Sequence, residues 1–281
     1  MRRFGGLSRT TKILWGVTAT IAVALVAVVV VDALWHRGGQ SRRDKVARYI
    51  EDVDAAQSRS AQEANTISLA YSQFRRKPLR SAAQARDLAR AEQAMRRVRA
   101  RVAAVDAPRD ARELRAQLLK LFDVEAGFAA GVKGIAAYFP RAGAIDARAG
   151  AAGARLSKDV AAAHTPAAQA DAFTAYAAAA GAAARSLSRL RAPYEFDRAR
   201  RADVARLRRL QSQAAQIASS LRSGETTAAA TGINAFVQTA QSTAVAVEQR
   251  RAVIAYDRRL RAIDKQRTAV QNELARLERT L

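Results

Sequence analysis

The stretch LRAQLLKLFDVEAGFAAGVKGIAAYF, Leu114 to Phe139, sets Leu114, Leu118, Leu121, Glu125, Phe128, Val132, Ile135 and Phe139 at alternating intervals of four and three residues. A repeat averaging 3.5 residues keeps one stripe of an α-helix turned toward a partner helix, and so predicts left-handed, coiled-coil-like packing. The same spacing runs through Val46, Ile50, Val53, Gln57, Ser60, Ala64, Ile67, Tyr71 and Phe74. It returns at Val253, Tyr256, Leu260, Ile263, Arg267, Val270, Leu274, Leu277 and Leu281. Shorter versions occupy Leu88, Ala91, Met95, Val98, Val102, Val105 and Phe173, Tyr176, Ala180, Ala183, Leu187, Leu190. Strands are nowhere suggested, so the fold class is all-α: six to seven near-antiparallel helices packed as a bundle.

Outward from the seams, five prolines punctuate the chain: Pro78, Pro108, Pro140, Pro166 and Pro193. Proline breaks a helix interior but suits a first turn, so each marks a boundary. Ser41 with Asp44, Ser81 with Gln84, and Thr165 before Pro166 read as N-caps, and Gly224 reads as a C-terminal stop. The predicted helices cover 42–76, 81–105, 109–138, 144–163, 167–191, 196–222 and 226–281, the fourth diluted by Gly143, Gly150 and Gly153. The sequence Val102-Ala-Ala-Val105-Asp-Ala107-Pro108 resembles Leu187-Ser-Arg-Leu190-Arg-Ala192-Pro193, and Leu118/Leu121 resembles Leu207/Leu210. Hairpins over 81–138 and 167–222 therefore look alike, by duplication or by convergence on the same Ala-Pro turn. Such an arrangement suits a spectrin-like or chemoreceptor-like bundle in architecture only.

Before the bundle, Ile13 to Val31 carries no charge; of the two tryptophans of the chain, Trp15 stands near its start and Trp35 just beyond its end. Twenty residues of helix separate these indoles by about 30 Å, the thickness of a bilayer's hydrocarbon core. Tryptophan favours the headgroup level. Residues 1–12 are thus expected to be a basic tail, 13–35 a transmembrane anchor, 36–41 a linker and 42–281 the helical domain. A cleaved signal is the competing assignment, with Val31-Asp32-Ala33 as a cleavage site, but a signal's apolar core is usually about 7 to 15 residues. Basic residues flank the segment on both sides, so orientation rests on the short N-terminal tail staying inside. The expected location is a single-pass cell-membrane protein with its domain outside the cytoplasm.

The chain carries a net charge of +23, and its 48 basic residues are mostly arginine. Such a surface attracts anionic lipid or polymer in a salt-dependent way. Alanine and arginine share GC-rich codons, so genome composition is a competing source of the excess. Zero cysteines rule out disulfides, thiolate catalysis and cysteine zinc sites. His36 and His164 stand apart from any Glu-x-x-His pair, and no nucleotide loop or serine elbow is present. No enzyme, cofactor or metal site is expected; Glu51, Asp52 and Asp54 read as a solvated helix face. Arg96, Arg97, Arg99 and Arg101 spread around their helix. Arg198, Arg200 and Arg201, near Tyr194 and Phe196, form the candidate anion-binding site, because aromatic rings beside guanidinium groups can stack bases or sugars.

The seams of the first and last helices are interrupted by polar residues, at Gln57 and Ser60 and at Arg267. If these helices pair antiparallel so that Leu281 returns to the level of Val46, Ser60 falls opposite Arg267 with Gln57 one layer away. These three residues form a candidate register layer, since a slipped alignment buries the guanidinium against hydrocarbon. A parallel homo-oligomer through the last helix is the alternative use of that seam. The function expected is a non-enzymatic, membrane-anchored binding or scaffold module at the cell envelope. A cytoplasm-facing coiled-coil scaffold on anionic lipid or nucleic acid is the alternative.

Overall fold

A computed structural model describes residues 42–76 and 82–280. Every regular element among them is helical: α1 (Arg42–Arg76), α2 (Ala82–Ala104), α3 (Arg112–Ala162), α4 (Pro166–Arg189), α5 (Asp197–Ser223), α6 (Thr226–Ala240) and α7 (Ala244–Thr280), with 3-10 turns at Arg109–Ala111 and Tyr194–Phe196. Contacts divide the chain into units 1–44 and 45–281, and only the opening residues of α1 represent the first. No helix among the described residues is long and apolar enough to cross a membrane. The expected anchor with Trp15 and Trp35 lies outside the described residues, as do the Ser41 and Ser81 caps.

Within 45–281 the helices form two groups that share α3. In the first, α1, α2, the N-terminal half of α3 and α7 enclose a core containing Val46, Val53, Leu88, Met95, Leu118, Val132, Ile263 and Val270. These are the seam residues, each buried because a 3.5-residue repeat holds one stripe inward along the whole helix. In the second, the C-terminal half of α3, α4, α5 and α6 bury Ile145, Leu156, Phe173, Ala180, Leu187, Leu207 and Ile217, with Phe236 of α6 packed against them. Between the groups lies an aromatic junction. Tyr71 stacks on Tyr256 at 5.8 Å, Phe74 meets Phe139 at 4.8 Å, and Phe139 meets Phe196 edge-on at 5.0 Å.

Two predicted boundaries are corrected. The third and fourth helices, expected at 109–138 and 144–163, are one 51-residue helix with Pro140 inside it. Proline's missing N–H forfeits a bond to the Ala136 carbonyl, and an interior proline costs about 3 kcal/mol. Burial on both sides offsets that cost: Ile135, Ala136 and Tyr138 are held just before it, Ala142 and Ile145 just after. Conversely, the helix expected at 226–281 divides after Ala240 without glycine or proline. The Ser242 hydroxyl accepts from the Ala244 N–H at 3.4 Å, and the Val247 N–H bonds the Thr243 carbonyl at 3.0 Å, starting α7 afresh. Serine and threonine compete locally with helix continuation in this way.

Other punctuation agrees with expectation. Thr165 caps α4 by accepting from the Ala168 N–H at 3.2 Å, with Pro166 in the first turn. Gly224 ends α5 at φ 75°, the left-handed conformation that glycine adopts without strain. The two Ala-Pro corners are built alike: Pro108 and Pro193 have near-identical backbone angles, and each carbonyl accepts from the N–H three residues on at 2.9 Å. After each corner an arginine reaches back twelve residues, Arg115 to the Ala103 carbonyl and Arg200 to the Ser188 carbonyl. Burial keeps the corners in step down the following helix: Leu114 matches Ala199, Leu118 matches Asp203, Phe122 matches Leu207 and Glu125 matches Leu210, all buried. The structural partner of Leu118 is therefore Asp203, whereas the sequence comparison aligned it with Leu207.

Candidate functional site

The arginine cluster after the second corner does not assemble as expected. Arg200 and Arg201 both turn to Asp197, Arg200 through two bonds to Oδ1 at 3.0 and 2.7 Å and Arg201 to Oδ2 at 3.2 Å. Arg200 also donates to the Ser188 carbonyl at 3.1 Å, so its guanidinium ties the corner together. Arg198 points to solvent. Phe196 is 2% exposed inside the aromatic junction while Tyr194 is 88% exposed, so the two rings do not flank a common ligand surface. Residues two apart on a 3-10 turn cannot share a face, which explains the separation.

Arg267 finds a partner on α3. Its Nε and Nη2 donate to Glu125 Oε1 at 3.0 and 2.7 Å. Burial raises the Glu125 carboxyl above its ordinary range, and the Arg267 charge works against that rise. From the adjacent position on α7, the Gln266 amide donates to the Gln117 carbonyl at 3.1 Å, a second polar tie between α7 and α3. α1 and α7 run antiparallel here: Tyr71 lies on Tyr256, while Ala64 and Ile67 face a small gap shared with Leu260 and Ile263. The side chains of Gln57 and Ser60 lie outside the described residues, so the layer expected around Arg267 is represented by Glu125. That residue stood in the α3 seam as a visible interruption, but a seam alone does not say which helix faces it.

The aromatic junction contains a further buried polar group. The Arg259 guanidinium pairs with Glu195, which is largely buried, and lies 5.7 Å from the centre of the Tyr256 ring. Burial first, and the Glu195 charge second, hold the Tyr256 phenol above its ordinary value. The ring fits because α3 carries Gly131 beneath it: a Cβ there would come within 2.9 Å of the Tyr256 ring and hydroxyl.

Where α3, α4, α5 and α7 meet, a cavity of about 180 Å³ is lined by Tyr138, Phe139, Phe196, Leu187, Asp146 and Asp203, with Arg200, Val245 and Gln249 completing its wall. No family model, curated protein or solved structure matches the chain. The reading of this site therefore rests on its own geometry. Asp203 is 7% exposed and holds Arg206 through bonds of 3.0 and 2.8 Å. Asp146 keeps an exposed edge at the cavity mouth. Partial removal from water, with the adjacent Asp203 carboxylate and a hydrogen bond to it, pushes the Asp146 carboxyl up to about 6 against the pull of Arg206. The Tyr138 phenol is pushed up to about 12 by burial and by the charges of Asp146 and Asp203. Sequence reasoning passed over all three residues. A signal was available for Asp203, which occupies the seam of α5 between Ala199 and Leu207 where an apolar residue belongs.

Among the described residues no group of three potential ligands is placed to hold a metal ion. His164 is exposed beside the α4 cap. The arrangement offers ion pairing, aromatic contact and a small, mainly apolar cavity edged by carboxylates, which are the elements of binding.

Proposed function

We propose that the chain is a non-enzymatic binding module, tethered to a membrane through residues 13–35 and presenting its helical domain at the cell envelope, where basic surface engages anionic lipid or polymer. The observation that carries this reading is the distribution of charge. Acids such as Asp197, Asp203, Glu125 and Glu92 are engaged by neighbouring bases within the fold. Arg250, Arg258, Arg261 and Lys265, in contrast, are exposed, and at about 100° per residue they fall on one face of α7. Charge arranged along a helix face attracts polyanions without needing a shaped pocket.

Titration with vesicles containing anionic lipid tests the reading. Affinity is expected to fall steeply between low and physiological salt, and replacement of Arg250, Arg258, Arg261 and Lys265 by glutamine should weaken it more than replacement of Arg198, Arg200 and Arg201. No binding at low salt would overturn the proposal. A cytoplasm-facing scaffold is the second reading, supported by the near balance of basic residues on the two flanks of residues 13–31. Ser223 is exposed at the end of α5. Reaction of a Ser223→Cys variant with an impermeant thiol reagent on intact cells supports the envelope reading; labelling only after lysis favours the cytoplasmic one.

A further inference from the structure

We propose that the cavity where α3, α4, α5 and α7 meet is a binding site for a small organic cation, a protonated or quaternary amine of about choline's size, held by the Asp146 carboxylate and the aromatic wall. Three observations converge on this chemistry. The first is shape. A cavity of about 180 Å³ has room for about six waters at roughly 30 Å³ each, and so for a ligand of a few heavy atoms. Its wall presents Tyr138, Phe139 and Phe196, and aromatic rings favour quaternary and protonated amines through their negative faces.

The second is charge. Asp203 is answered by Arg206, and Asp197, just behind Arg200, is answered by Arg200 and Arg201. Asp146 is different: among the described residues no arginine, lysine or histidine lies within ion-pair distance of it. Its carboxyl instead hydrogen-bonds to Asp203 and feels the Arg206 charge only from beyond ion-pair distance, so among the described residues the site carries one acid without an ion pair of its own, in a chain whose net charge is +23. Anions are disfavoured there by two adjacent carboxylates, whereas a cation supplies the missing counter-charge. The third is placement. Asp203 occupies the core position that Leu118 fills after the first Ala-Pro corner, so a carboxylate stands where the matching corner is hydrocarbon. A buried acid at a core position costs stability unless it is compensated, and such exceptions concentrate at functional sites. The Asp146 carboxyl, held up near 6 by burial and by the neighbouring Asp203, is one whose proton a bound cation would displace.

The test is calorimetric titration of the full-length protein in detergent with choline chloride, tetramethylammonium chloride and 3,3-dimethylbutan-1-ol, the last a neutral analogue of choline's shape. Choline and tetramethylammonium are expected to bind saturably, and the neutral alcohol at least about tenfold more weakly. Asp146→Asn should lower choline affinity by a similar factor. Near pH 6, choline binding should release a proton, read as a heat that depends on the buffer's ionisation enthalpy.

A second variant guards against misfolding as an explanation. Gly143 lines the cavity, and a Cβ there meets nothing within 4 Å, so Gly143→Leu fills the space while improving the helix. It should abolish choline binding with unchanged helical circular dichroism. The proposal is overturned if neither cation binds saturably, if choline and the alcohol bind alike, or if folded Gly143→Leu binds choline as the parent does.

Discussion

Removing the Arg267 guanidinium leaves the Glu125 carboxylate buried without its partner. Loss of one member of a fully buried pair costs about 3 to 5 kcal/mol, but Arg267 is 41% exposed and water moderates the loss. Arg267→Ala is expected to cost about 2 kcal/mol in urea unfolding. The double change Glu125→Leu with Arg267→Met should recover most of it, because hydrocarbon of similar volume then fills the layer. A single-variant loss below about 0.5 kcal/mol would show the pair to be solvated. Asp146 offers a pH-dependent counterpart. Its folded carboxyl, near 6, lies above the ordinary 3.8, so the folded state disfavours the charge at neutral pH and loses that penalty as pH falls through 6 toward 4. The groups facing it are Asp203 and Arg206 of α5 and Tyr138 of α3, of which Arg206 keeps its charge throughout. Asp146→Asn should therefore raise the melting temperature at pH 8, with the gain shrinking toward pH 4; a gain independent of pH would refute the assignment. At this scale the sequence revealed polar interruptions but not their partners. Arg267 was legible as an exception to its seam, while Glu125 and Asp203 needed the third dimension to show what they meet.

Helices test their neighbours most directly through glycine. Gly131 and Gly150 both lie inside α3, and alanine at either removes backbone freedom from the unfolded chain. Gly150→Ala meets nothing within 4 Å and should stabilise by about 0.5 to 1 kcal/mol. Gly131→Ala drives a methyl to within 2.9 Å of Tyr256 and should destabilise by about 1 to 3 kcal/mol. Opposite signs in thermal unfolding are expected; equal stabilisation would mean that the Tyr256 ring moves aside freely. The same contrast explains why elements were only partly legible. Heptad seams located the core stripes of α1, α2, α3, α4 and α7 because that spacing is imposed by the partner helix. Pro140 misled because a local penalty of a few kcal/mol was outweighed by cores on both sides, which no local signal carries. The break after Ala240 escaped notice because Ser242 and Thr243 act through side-chain and backbone hydrogen bonds that are equally compatible with helix.

At the scale of the whole molecule, the expected tether makes a simple prediction. Full-length protein should fractionate with membranes and resist carbonate or high salt, whereas a chain beginning at residue 41 should remain helical and soluble. Recovery of the full-length chain in the soluble fraction would defeat the anchor. The all-helical class was readable throughout, since nothing in the sequence repeats with a strand's period. The division into two groups was not, because it depends on one helix serving both. That sharing gives α3 the character of a ruler. Ile135 and Ala136 belong to one core, Ala142 and Ile145 to the other, and the number of residues between them fixes how the cores are phased. One alanine inserted after Ala137 would turn everything downstream by about 100° and advance it by about 1.5 Å. Neither core can absorb such a turn, so the insertion should abolish cooperative unfolding, while the same residue added between Ala163 and Thr165 should change little. Descent can lengthen the connection before α4, but it must copy the middle of α3 with its count intact.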